Sequence, residues 1–404
     1  MFRPMKKTEI RIDFETVLKG VLSVCFIVVF YVVLSWIGFR SDLLSPWKQA
    51  IDSYRLSDMY FSLHKGKEAV THDGTSVVLV DISSCRDRDE IAGVIDRINR
   101  AKPLVVALDV IFPPAVTIEE RQNDSLVRVL GRACNLVLAK ELRPVSENGY
   151  VPVSSFFVDD LPSDEGLVTL PGDVIRTWCP LIVAGNDTIP SFTKCIADKA
   201  GIYMPDTVKP RLIDYSIHDD MVLDPQEQWD DRFLCGQIVL VGDIKDARDT
   251  YEIPVTLKTS VRQSGVSIHR QILLTCIKGM EFRTSPQWLV ILLSSFLLFI
   301  VSLLIFPLLD WSDRQEAALK RKQSKASFKL YFRGVFLRHV SAVVQIGMMA
   351  LTAVIGYIVF WTTGYYFEAE FLLVGYALLY MSHGFTDAIV DFAKMVYVRI
   401  SKKS

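Results

Sequence analysis

The 404 residues carry 45 Lys and Arg against 46 Asp and Glu, with 50% apolar residues and a mean hydropathy of +0.28. A net charge of -1 excludes the basic excess of a nucleic-acid binder, and no nucleic-acid partner is expected. The apolar residues are gathered into a few long runs, which excludes a simple soluble enzyme.

The first predicted element follows an N-tail (1–16) and is a membrane helix over 17–37, VLKGVLSVCFIVVFYVVLSWI. Its only charge, Lys19, lies close to one end. Arg3, Lys6 and Lys7 form a basic leader like that of a signal peptide. The apolar core is too long for one and no small-x-small cleavage site follows, so the segment is expected to remain as an anchor.

Residues 38–287 form the expected outer domain. Ser76 to Ile82 (SVVLVDI) and Leu104 to Phe112 (LVVALDVIF) are β-branched runs of the kind found in strands buried on both faces. Between them, Asp89 and Glu90 precede Ile91, Val94, Ile95 and Ile98 at helical spacing, which predicts a β-α-β unit with parallel strands. A helix around Leu126 to Leu130, a strand over Asn135 to Ala139, a strand over Gln237 to Gly242 and a helix over Gly265 to Ile277 continue the alternation. The stretch from Pro144 to about Arg232 has weak periodicity and its elements are not ordered by sequence.

Three further spans are predicted: 288–309, which carries no charge, 340–361, and a shorter one over 366–387, whose outer end must accommodate Glu368 and Glu370. The fold class is therefore an α/β extracytoplasmic domain with a largely parallel sheet, joined to a four-helix transmembrane region. The N-tail, the segment 310–339 and the C-tail (388–404) are all basic, whereas the outer segment holds about 36 acidic and about 28 basic residues. The positive-inside bias thus puts both termini in the cytoplasm and the large domain in the periplasm or outside the cell, in a multi-pass protein of a bacterial inner (cell) membrane. In 310–339, Lys320, Arg321, Lys322, Lys325, Lys329 and Arg333 lie among Phe328, Leu330, Tyr331, Phe332, Val335 and Phe336. They could contact the anionic leaflet or a cytoplasmic partner, or serve topogenesis alone.

The LVDIS strand, the ALDVIF strand with Asp124 downstream, Gly166-Leu-Val, Gly172-Asp-Val-Ile-Arg176, GQIVLVG with Asp249, and Gly265-Val-Ser-Ile-His269 occur in one order. Together they resemble the second type of CHASE domain, the cyclase/histidine-kinase-associated sensing extracellular module. The resemblance implies a sensor preceded by one span and followed usually by three. It departs at Ser83 to Asp89, where family members often carry a Trp-Pro-rich stretch, and after the fourth span, where family members usually lead into an effector domain. Only about 17 residues follow that span here, too few for a catalytic domain, so output is expected to run through another protein.

Asp81, Asp109 and Asp243 are predicted at or near the carboxyl ends of strands, where open α/β sheets place ligand crevices; helix capping and loop ties are the plainer roles. Asp249 and His269 match family positions, and Arg176 could clamp an anion or an internal carboxylate. These six are the candidate ligand-binding residues. No Walker loop, G-x-S-x-G elbow or H-E-x-x-H occurs, so neither catalysis nor a cofactor is expected. The six cysteines outside the first span permit disulfides or free thiols. The leading expectation is a sensor subunit that takes a small ligand or envelope protein outside and acts on a separate membrane or cytoplasmic effector, with a homodimer compatible. The alternatives are a non-sensory envelope scaffold and an outward-facing enzyme using the Asp cluster.

Overall fold

The computed structural model describes residues 13–40, 56–63, 74–113, 120–146, 149–170, 172, 174–185, 187–217, 221–227, 229–254, 261–279, 282–321, 328–368 and 370–401. The chain divides into a central unit, Ser53–Thr284, and a unit built from both ends, Met1–Asp52 with Ser285–Ser404. Helix α1 (Phe14–Arg40) belongs to the latter, and helix α2 (Leu56–Leu63) opens the former.

The central unit then alternates β1 (Val77–Asp81), α3 (Arg88–Arg100), β2 (Val105–Leu108), α4 (Glu120–Leu130) and β3 (Leu136–Ser146). The region that sequence left unordered supplies β4 (Gly149–Val153), β5 (Asp164–Leu167), β6 (Thr177–Trp178), β7 (Leu181–Ala184), β8 (Asp187–Pro190), α5 (Phe192–Ala200), β9 (Arg211–Leu212) and β10 (Val222–Leu223). Strands β11 (Ile238–Gly242), β12 (Thr250–Ile253) and β13 (Val261–Ser264), helix α6 (Gly265–Ile277) and strand β14 (Arg283–Thr284) complete it.

One seven-stranded sheet runs in the order β10-β1-β11-β2-β3-β4, with β5 also on β3. The β3–β4 pair is antiparallel and the other pairs of this sheet are parallel. The β12–β13 and β7–β8 pairs are antiparallel and lie in separate small sheets, so the unit is mixed α/β with several sheets. Strands β1 and β2 are not neighbours. β11 enters between them, pairing Val239 with Val78 on one side and Val106 on the other.

Because side chains alternate along a strand, the fully buried run Val77 to Val80 feeds two cores. Val77, Leu79, Val105, Ala107 and Leu240 pack with Phe192 and Ile196 of α5 and Ile268, Ile272 and Leu273 of α6. Val78, Val80, Val106, Leu108 and Val239 pack with Ile95 and Ile98 of α3 and Leu126 and Leu130 of α4. Each such side chain removed from water contributes about 1.5–3 kcal/mol, which explains strands with no polar interruption.

The unit of the chain ends adds α7 (Gln287–Arg321), α8 (Phe328–Thr363), the two-residue strand β15 (Tyr365–Tyr366) and α9 (Glu370–Ser401). Three segments among the described residues are long and apolar enough to cross a membrane: Phe14–Val33, Gln287–Trp311 and Ala342–Thr363. The fourth expected span, 366–387, falls mainly in α9, which is not among these three. Helices α7 and α8 both run past the expected span limits into 310–339; in α7 Arg314 to Arg321 (RQEAALKR) is rich in helix formers and need not stop where the apolar run does. Ile27, Leu298, Phe306, Phe371 and Tyr376 form the core of this unit.

Candidate functional site

Asp109 follows the last residue of β2, at the carboxyl edge of the parallel strands, and is half-buried. Its amide donates to Val241 O at 2.8 Å, which fixes the chain against β11. Burial, and then the charge of Asp249, pushes its carboxyl up to about 8. Asp249 stands at the N-terminus of α6. The Gly265 amide donates to its Oδ2 at 3.1 Å, and a Cβ at 265 would lie 2.5 Å from that oxygen, so any side chain there would push the carboxylate out of place. Burial raises Asp249 to about 6, while the Gly265 amide and the Tyr251 hydroxyl favour its charged form. Tyr251 is raised to about 12, by burial and then by Asp249. Sequence reading did not single out Tyr251; its place two residues beyond Asp249 was the available signal.

The other two predicted aspartates serve the loops. Asp81 accepts from the Ser83 amide at 2.9 Å, the Ser83 hydroxyl at 2.8 Å and the Ile244 amide at 3.3 Å, tying the end of β1 to the loop after β11. Asp243 accepts from the Lys245 amide at 2.8 Å, while its charge still acts on Asp249. The structure thus couples Asp109, Asp249 and Asp243 electrostatically and leaves Asp81 as a structural tie. The loop that departs from the family pattern is also absorbed locally. Asp87 caps α3 through the Glu90 amide at 2.9 Å, and buried Arg88 bonds Asn123 Oδ1 and Pro113 O while facing the rings of Phe112 and Phe156.

Arg176 and His269 take no part in the carboxylate cluster. Arg176 grips Asp58 of α2 with two nitrogens at 3.0–3.1 Å, both side chains being buried. Asp58 was missed by sequence, since nothing in LSDMYFSL marks it as an arginine partner. His269 is buried, packs edge-on to Phe192 and lies 3.2 Å from Val168 O through Nε2; burial lowers it to about 4. It lines a cavity of about 370 Å³ together with Trp178 and Thr193.

A polar network within the unit of the chain ends was only half visible in sequence. Lys19, noticed there as the one charge of its span, lies 2.6 Å from Asp387, 3.2 Å from Asp310 and 3.4 Å from Glu15. His383 joins the same aspartates, at 2.9 Å from Asp310 and 3.6 Å from Asp387. Asp310, His383 and Asp387 are close enough together to hold a cation, but the positive charge at this place is already that of Lys19. Of the predicted membrane or partner contacts, Lys322 and Lys325 lie outside the described residues, as do the side chains of Lys320, Arg321, Lys329 and Arg333. No disulfide is formed among the described cysteines.

A family model described as the CHASE2 domain matches residues 26–309, well over half of the chain. The chain belongs to the CHASE2 domain family. This is an extracellular sensory domain family, and the match takes in the whole central unit and parts of α1 and α7. No curated protein and no solved structure matches. Within the CHASE2 domain the family-matching residues separate into a carboxylate cluster at the sheet edge, the internal Arg176–Asp58 clamp, and the His269 cavity wall.

Proposed function

We propose that the chain is a membrane-anchored extracytoplasmic sensor subunit, relaying a ligand or envelope signal to a separate membrane or cytoplasmic effector. The observation that carries this reading is the CHASE2 match, whose α/β unit lies in the chain between the apolar segments Phe14–Val33 and Gln287–Trp311. The positive-inside distribution supports both termini in the cytoplasm, four spans and a periplasmic domain at a bacterial inner membrane. A fourth span in α9 fits a helix whose polar side chains His383 and Asp387 find partners on α1 and α7.

The route from sensor to span is short along the chain: α6, which carries His269, is followed by β14 and then directly by α7. A stimulus acts through this route only if it binds two conformations with different affinity. The enzymatic alternative draws less support, because Asp81 and Asp243 are engaged in loop ties. Co-purification from membranes is the test. A kinase, cyclase or protease partner is expected, and recovery of structural envelope proteins alone would replace the sensor with a scaffold.

A further inference from the structure

The cavity beside His269 is walled by β6, β7, the start of α5 and the middle of α6, and its volume is about 370 Å³. That equals about twelve waters at liquid density, and no wall residue carries a formal charge when His269 is neutral. A carbonyl oxygen can only accept, so the contact with Val168 O places the His269 proton on Nε2 and leaves Nδ1 as a lone-pair acceptor. That Nδ1 is buried and has no protein partner, and neither does the indole Nε1–H of Trp178. Both side chains are more than nine-tenths buried, at 3% and 4% exposure. Natural cores rarely leave such atoms unpaired, and here an acceptor and a donor sit on two residues that line one cavity.

We propose that this cavity binds a small uncharged molecule, mainly apolar, bearing a hydroxyl or amide that donates to His269 and accepts from Trp178. Apolar wall residues such as Ile182 and Ile272 take the body of the molecule, and the two orphan groups set its polar requirement. A carboxylate or ammonium ligand is disfavoured, since the walls offer it no countercharge. The proposal rests on the sensory reading for its purpose, because it names the class of signal, but the binding itself stands or falls separately.

The full chain in lipid nanodiscs, with empty nanodiscs as background, is titrated with 4-fluorobenzyl alcohol, 4-fluorotoluene and 4-fluorobenzoate by fluorine NMR line broadening. The alcohol is expected to bind at least about tenfold more tightly than either analogue. Filling the cavity with Ile182→Trp, or with Val208→Trp at a wall position 48% exposed and so tolerant of bulk, should abolish the broadening. His269→Phe should erase the preference for alcohol over fluorotoluene while fluorotoluene still binds. Equal signals from parent and both filled variants, benzoate binding as tight as the alcohol, or no binding up to the solubility limit would each overturn the site and show orphan atoms satisfied by water alone. None of those results touches the effector, which co-purification decides.

Discussion

Asp109 and His269 are both held toward neutrality by burial, and the pH consequences run in opposite directions. The Asp109 carboxyl rises from 3.8 to about 8 on folding. Below about pH 4 the folded and unfolded chains both hold the proton; as pH climbs toward 8 the unfolded chain sheds it first, so stability is lost across that interval. Asp109→Asn removes this loss. It should match the parent near pH 4 and exceed it by about 1–3 kcal/mol at pH 8, read from urea midpoints at the two pH values. An unchanged difference at both would mean that burial does not hold the Asp109 carboxyl neutral. For His269 the folded value falls from 6.5 to about 4, so its contribution is present above 6.5 and lost as pH falls toward 4. The sequence located both residues but not their state, because neutrality depends on which loops and helices cover them.

At the scale of elements, the close approach of β5 to α5 is set by one missing side chain. A Cβ on Gly166 would lie 2.4 Å from the Phe192 Cα and 2.7 Å from its amide, both backbone atoms that cannot step aside singly. Gly166→Ala should therefore lower stability by about 1–3 kcal/mol and loosen hydrogen-exchange protection in α5 more than in α3, on the other face of the sheet. Equal loosening of both helices would mean a global effect. Strands β1, β2 and β11 and helices α3 and α6 were readable because their runs are uniformly apolar or cleanly periodic; α6 begins and ends where the sequence placed it. The pairing order was not readable. Nothing local tells β11 to enter between β1 and β2 from about 130 residues further along the chain. The elements between Pro144 and Arg232 escaped for another reason: most are strands of two to five residues, too short for any period to emerge.

For the whole molecule, charge joins helices that are far apart in the chain. Lys19 is readable as the charge of a span, but two of its partners, Asp310 and Asp387, lie hundreds of residues away, which no local pattern reports. Removing the ammonium with Lys19→Met leaves Asp310 and Asp387 without it and should destabilise the bundle by about 3–5 kcal/mol, seen as lost yield and lower thermal stability in detergent. Adding Asp387→Asn should recover part of that loss, since one uncompensated charge is withdrawn. No recovery would mean that Lys19 acts by packing its stem. The same network bears on biogenesis. Ribosomal synthesis runs from residue 19 toward 387, so α1 is made with an ammonium whose nearest counter-ion, at 2.6 Å, arrives only with α9. A chain halted before α9 still offers Asp310, yet lacks both Asp387 and His383. Until then the ammonium has only Glu15 and Asp310 to lean on, so the shortest of its three ion pairs is the one that forms late in synthesis.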